Sequence, residues 1–114
     1  MTVLFTMLAL VAPTVGQADH SGCSRYCQKR QVVRPYNAKL ERMANCESSG
    51  RWWLNTGNGF YGGLQFTLST WRAAGGFGYP HQNSKLEQKY RAVLWFRKIG
   101  TWVTNAGWPR CGYA

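Results

Sequence analysis

The stretch Ala44-Asn45-Cys46-Glu47-Ser48-Ser49-Gly50-Arg51-Trp52-Trp53 sets one carboxylate between a cysteine and a tryptophan pair. Acids are scarce in this chain, with 4 Asp+Glu against 14 Lys+Arg, so each one needs an explanation. A charged group avoids apolar surroundings unless it is paired or neutral. Apolar surroundings raise a carboxyl pKa, and a glutamate held toward neutrality can act as a general acid. The alternative is a glutamate that merely ends a helix beside Arg51, a position the helix dipole mildly disfavours.

Upstream of this stretch, Leu40, Met43 and Ala44 have helical spacing. A helix is therefore expected over residues 37–48, with Gly50 as its stop. Downstream, Leu54-Asn55-Thr56-Gly57-Asn58-Gly59-Phe60-Tyr61-Gly62-Gly63-Leu64-Gln65-Phe66 carries four glycines and the tight-turn pair Asn58-Gly59. Its flanks are too short for a full sheet, so a small hairpin or irregular glycine-rich loop is expected. A short helix follows, capped by Thr67 and ended by Gly75. Ser84-Lys85-Leu86-Glu87 has the form of a capping box, with the Glu87 side chain turned back to the Ser84 amide. Leu86, Tyr90, Val93 and Leu94 mark one face of the helix after it, and Gly100 stops it. Thr101 to Gly107 form a final turn. The fold class is α+β and mainly helical, with the small β element between the first and second helices.

The ends of the chain differ in character. Residues 1–18 carry no charge, hold an apolar run from Val3 to Ala12 and end in Gly16-Gln17-Ala18. This is the pattern of a secretory signal peptide, without the usual basic residue before the run. The run is too short to span a membrane, which takes about 20 apolar residues. Residues 19–36 are basic and lack apolar periodicity, so they are expected as an arm containing Cys23 and Cys27. Residues 37–114 form the single small domain. A secreted protein with four cysteines is expected to be oxidised. Three pairings are open. The preferred one joins Cys23 to Cys27 and Cys46 to Cys111, because the second bridge closes a long loop, where chain entropy stabilises most. Zinc fits poorly, since Cys46 and Cys111 stand alone. His20 and His81 have no partner at ligand spacing, so neither metal nor cofactor is expected.

The net charge of +10 directs the protein toward polyanions, whether anionic lipid, nucleic acid or anionic wall polymers. Export and the lack of a legible nucleic-acid motif disfavour nucleic acid. No stable membrane insertion is expected once the signal is removed, and the domain is expected to be a monomer. The aromatics point elsewhere. Trp52 and Trp53 are adjacent on a turn, so both cannot face the core. Exposed rings such as Trp53 and Tyr61, beside Asn55, Asn58 and Gln65, suit a sugar: ring faces stack and amides bond hydroxyls.

The ordered set Cys46-Glu47-Ser48-Ser49-Gly50, Asn55-Thr56-Gly57-Asn58-Gly59-Phe60-Tyr61-Gly62-Gly63-Leu64-Gln65-Phe66, Ser69-Thr70-Trp71-Arg72, Gly75-Gly76, Glu87-Gln88 and Trp108-Pro109-Arg110-Cys111-Gly112 resembles the resuscitation-promoting factor domain over residues 38–113. That resemblance implies a lysozyme-like fold and cleavage of peptidoglycan. It implies that Glu47 is the catalytic acid and that Cys46 pairs with Cys111, tying down the C-terminus. It also implies glycan contacts by Tyr61, Gln65 and Thr70, and by Trp71, for which composition alone makes the core the default place. Two positions depart from the family pattern: Ser49 stands where glycine is usual, and Leu40 where tryptophan often opens the first helix.

The count of acids bears on mechanism. Hydrolysis by two carboxylates needs the second about 5 to 9.5 Å from the first. Glu41 is six residues back, about 9 Å along the helix axis and on another face. Asp19 lies in the arm, Glu41 is expected to be solvated, and Glu87 is assigned to its cap. A one-acid scheme is thus preferred, of the kind used by lytic transglycosylases. The expectation is a secreted, wall-associated glycosidase, a lytic transglycosylase or muramidase, with other wall hydrolases as partners. The alternatives are a peptidoglycan-binding module without activity and a cationic polyanion-binding or antimicrobial protein.

Overall fold

The computed structural model describes residues 22–114. The expected signal peptide, Asp19 and His20 lie outside the described residues. Among the described residues four α-helices make the frame: α1 (Arg25–Val33), α2 (Asn37–Ser48), α3 (Leu68–Ala73) and α4 (Lys85–Ile99). Among the described residues no helix is long and apolar enough to cross a membrane.

The first helix corrects a sequence expectation. Residues 25–33 were expected as part of an arm, and they form α1. Ser24 caps it, its Oγ accepting from the Cys27 amide at 3.3 Å. Its stability is tertiary, which is why periodicity missed it: Val33 is its only buried residue. Lys29 forms an ion pair with Glu87 on α4, and its Nζ lies 5.3 Å from the Tyr90 ring centre. The Cys23–Cys27 disulfide braces the first turn, with a Cα–Cα distance of 5.4 Å. A 3₁₀ turn, Arg34–Tyr36, with Pro35 in its first turn, leads into α2.

Helix α2 follows the expected bounds and buries Leu40, Met43 and Ala44. Its left-handed cap is Ser49 (φ 56°), one residue before the glycine expected to end it. Gly50 N then donates to Ala44 O at 3.1 Å, closing the helix end. The bend turns Trp52 inward, 8% exposed, and Trp53 outward, 71% exposed.

The glycine-rich segment forms no extended strand. It holds two isolated antiparallel bridges, Asn55 with Tyr61 and Tyr61 with Phe66. Its root is tightly packed: a Cβ on Gly63 would lie 2.5 Å from the Trp52 ring, while Cβ atoms on Gly57 or Gly59 at the tip would meet nothing within 4 Å. Helix α3 starts as expected, Thr67 Oγ1 accepting from Thr70 N at 3.2 Å. Leu40, Met43, Leu64, Phe66, Trp71 and Val93 are fully buried or nearly so and meet in one core, which Trp108 joins. Full burial of each large side chain is worth about 1.5–3 kcal/mol.

At the start of α4 only half of the expected capping box forms. Ser84 Oγ accepts from Glu87 N at 3.1 Å, but the Glu87 carboxylate turns away to Lys29 and Arg91. Long-range charge outcompetes the local reach-back. Glu41 also differs from expectation: rather than standing solvated, it pairs with Lys85 (2.6 Å) and the buried Lys89 (2.5 Å). The Cys46–Cys111 disulfide binds the end of α2 to the C-terminal segment, with a Cα–Cα distance of 5.6 Å. The result is a small, mainly helical, disulfide-tied fold, consistent with the lysozyme-like class.

Candidate active site

Three glutamates lie among the described residues, and their surroundings separate them. Burial pushes the Glu41 carboxyl up, but the hydrogen bonds and charges of Lys85 and Lys89 outweigh it and hold it below its ordinary value. Burial acts the same way on Glu87, where Lys29 and Arg91 outweigh it. Glu47 is half-buried, and burial alone raises its pKa. No ion pair reaches it among the described residues. A carboxyl in that state keeps its proton to higher pH and can donate it.

The backbone around Glu47 is held on both sides. Cys46, just before it, is bonded to Cys111. Ser48, just after it, is buried, and its hydroxyl lies 2.8 Å from Gly63 O and 3.1 Å from Ala44 O. Arg51 Nε donates to Ser48 O at 2.8 Å, fixing the turn. The C-terminal segment and the glycine-rich loop are joined in turn, since Trp108 Nε1 donates to Leu64 O at 2.7 Å.

Between these two segments runs a groove of about 390 Å³. One side is Phe60, Gln65, Thr67, Ser69 and Thr70, and the other is Asn105 to Pro109. It brings together two of the expected glycan contacts, Gln65 and Thr70. Gln65 has a left-handed backbone (φ 52°), and its Nε2 donates to Gly62 O at 2.8 Å, which leaves Oε1 to accept. Glu47 does not itself line this groove; its chain neighbours are tied to both sides of it.

The other expected contacts lie apart. Trp71 is fully buried, its Nε1 donating to Phe77 O at 3.3 Å, so it supports the core and offers no surface to a glycan. Tyr61 packs against Tyr79 and stacks on His81, with centroids 5.3 and 5.5 Å away. Asn55 turns its Oδ1 to Gly57 N at 3.1 Å. Trp53 is open to solvent. The sequence reading missed the Asn105–Pro109 side of the groove. Its signal was the Trp108-Pro109-Arg110-Cys111 motif, which a Cys46–Cys111 bridge carries toward Glu47.

Residues 34–111 match the model of a protein family described as the transglycosylase-like domain. The chain belongs to this family. Resuscitation-promoting factor Rpf of Micrococcus luteus is 56% identical over 71 residues, 62% of this chain and 30% of the relative. Resuscitation-promoting factor RpfE of Mycobacterium tuberculosis is 46% identical over 77 residues, 68% of this chain and 42% of the relative. For RpfC of the same species the identity is 45% over 74 residues, 65% of this chain and 50% of the relative. The chain thus carries a resuscitation-promoting factor domain and spans half or less of the length of these relatives. Helix α1 precedes the residues that match the transglycosylase-like domain.

Proposed function

We propose that the protein is a secreted, wall-associated glycosidase that cleaves peptidoglycan glycan strands, with Glu47 as its acid and then its base. The observation that carries this is the contrast among the described glutamates: Glu41 and Glu87 are ion-paired and held ionised, while Glu47 is unpaired and its pKa is raised by burial. Family membership supports the same reading, as does the groove whose two flanking segments are tied to Cys46 and Ser48, the chain neighbours of Glu47.

Glu47 donates its proton to the oxygen bridging two sugars as the bond from the anomeric carbon to that oxygen breaks. The N-acetyl group of the substrate stabilises the positive anomeric centre. The Glu47 carboxylate then takes the proton of the sugar's own 6-hydroxyl, whose oxygen closes on the anomeric carbon, and an anhydro end is released. Water in place of that hydroxyl would give hydrolysis. The two-carboxylate route needs a second acid, and Glu41 and Glu87 are committed to cations. Gln65 and Thr70 hold the glycan in the groove, with Trp53, Asn55 and Tyr61 as outlying contacts.

Mass spectrometry of soluble products from purified peptidoglycan tests this, with the disulfide-intact protein beside Glu47→Gln. Anhydro ends from the wild type alone are expected. Reducing ends would mean hydrolysis. Product from Glu47→Gln would overturn the assignment of the acid. No product from either protein, with retention on peptidoglycan, would make the domain a binding module.

A further inference from the structure

A second cavity, of about 530 Å³, lies over α1 and the turn after it, and Tyr26, Arg30, Arg34, Asn37 and Leu86 are among its lining residues. Two arginines one turn apart face it: Arg34 N donates to Arg30 O at the end of α1. Like charges at this spacing disfavour a helix. No carboxylate compensates them among the described residues, because Glu41 is taken by Lys85 and Lys89, and Glu87 by Lys29 and Arg91. Arg30 also lies 5.8 Å from the ring of Tyr26, itself 63% exposed. Asn37 turns its Oδ1 to Lys89 Nζ at 2.6 Å, so its amide N–H groups are what remain for a ligand. The cavity is thus rich in donors, floored by Val33 and Leu86 and edged by an aromatic face. The Lys29–Glu87 pair holds its main wall, α1, against α4, and the Cys23–Cys27 bridge braces the first turn of that wall.

We propose that this cavity is an accessory site for an anionic polysaccharide, Arg30 and Arg34 gripping an oxyanion and Tyr26 stacking on the adjoining sugar. Guanidinium forks match the oxygens of a phosphate ester and of a carboxylate equally, so either source supplies the chemistry. Resting on the wall-cleaving function proposed above, the site would anchor the protein to the acidic polymers that accompany its substrate. It uses a helix that precedes the family match, and its occupancy does not require catalysis.

The test is calorimetric binding of the disulfide-intact protein to two probes, poly(ribitol phosphate) for phosphodiesters and polygalacturonate for carboxylates. The variants are Arg30→Gln/Arg34→Gln and the charge-matched Arg42→Gln/Arg97→Gln, which removes two exposed arginines outside the cavity. The cavity variant should bind at least one probe about tenfold more weakly, with little change in the control. The probe affected identifies the oxyanion. Equal losses in both variants would reduce the site to net charge and overturn the proposal, as would no loss in either. Arg30→Lys/Arg34→Lys keeps the charge and the fold but removes the forks, and should lose most of the same affinity. Tyr26→Ala should weaken polygalacturonate, whose sugar rings can stack on the tyrosine, but not inorganic phosphate. Product release from peptidoglycan stripped of acidic polymers should be unchanged in the cavity variant, so failure of catalysis and failure of this site read out separately.

Discussion

The Oε1 atom of Gln88, fully buried on α4, accepts a hydrogen bond from Gly63 N at 2.9 Å, across 25 residues. Its Nε2 donates to Trp52 O at 2.8 Å and to Asn83 O at 3.0 Å. One amide therefore satisfies backbone groups on the turn after Glu47, on the root of the glycine-rich loop and before α4. Gln88→Leu removes all three bonds at once. An unsatisfied buried group costs about 1–3 kcal/mol, so a loss of at least about 3 kcal/mol is expected in urea unfolding. A loss under about 1 kcal/mol would show that the surroundings re-pair without it. Gln88→Glu should also destabilise, because a carboxylate can accept from Gly63 but cannot donate to Trp52.

Glu47 and the paired glutamates should respond to pH with opposite signs. The folded pKa of Glu47 lies above its unfolded value, so its contribution is fully present below about pH 4.3 and fades as pH rises through the folded value. Glu47→Gln should therefore gain Tm relative to wild type as pH is raised from acid to neutral. The contributions of Glu41 and Glu87 run the other way, present above about pH 4.3 and lost as pH falls through their depressed folded values. Thermal melts of Glu47→Gln, Glu41→Gln and Glu87→Gln across that range check all three. A Tm difference for Glu47→Gln that stays flat with pH would contradict the burial of the acid.

Ser49 adopts φ 56° at the end of α2 without a glycine's freedom. A left-handed conformation costs a residue with a Cβ about 1–2 kcal/mol. Ser49→Gly should recover about 1 kcal/mol, partly offset by the entropy of the unfolded chain. In a domain this size that raises Tm by about 4–8 °C, and scanning calorimetry would show it. An unchanged or lower Tm would mean that the Ser49 side chain contributes more than its backbone strain costs.

The two disulfides should differ in weight. They close loops with separations of 65 and 4 residues. The chain-entropy relation gives about 4 kcal/mol for the long loop and about 2 kcal/mol for the short one. Cys46→Ala/Cys111→Ala should therefore lower stability more than Cys23→Ala/Cys27→Ala. It should also reduce activity, by freeing the Trp108 side of the groove. Denaturant midpoints and product yield measure both effects, and equal losses would contradict the loop-length account.

Local patterns and the Cys46–Cys111 bridge were legible in the sequence, and the long-range ion pairs were not. Leu40, Met43 and Ala44 gave α2 through their spacing, and Thr67 and Ser84 announced the next two helices by their caps. Glu47 stood out because it is one of few acids and sits between a cysteine and two tryptophans. Helix α1 was hidden because Lys29 finds Glu87 only after the chain has folded back. Glu41 looked solvated for the same reason, its partners lying 44 and 48 residues on. Trp71 was expected at the glycan because motif membership does not distinguish a ring that touches a ligand from one that holds up the floor. Only burial does, and burial is a property of the whole fold.

The loop after Trp53 is closed to change at one end and open at the other. At its root, Gly63 lies against the Trp52 ring, and a Cβ on Gly62 would run into the Gln88 amide. At its tip, Gly57 and Gly59 look out on empty space and are limited only by their backbone angles, which asparagine and aspartate also tolerate. Over evolutionary time, drift in this loop is therefore channelled to a few outward positions. Diversity among descendants of this sequence would accumulate at the rim of the molecule, while the stem that carries Gln65 to the groove stays the same.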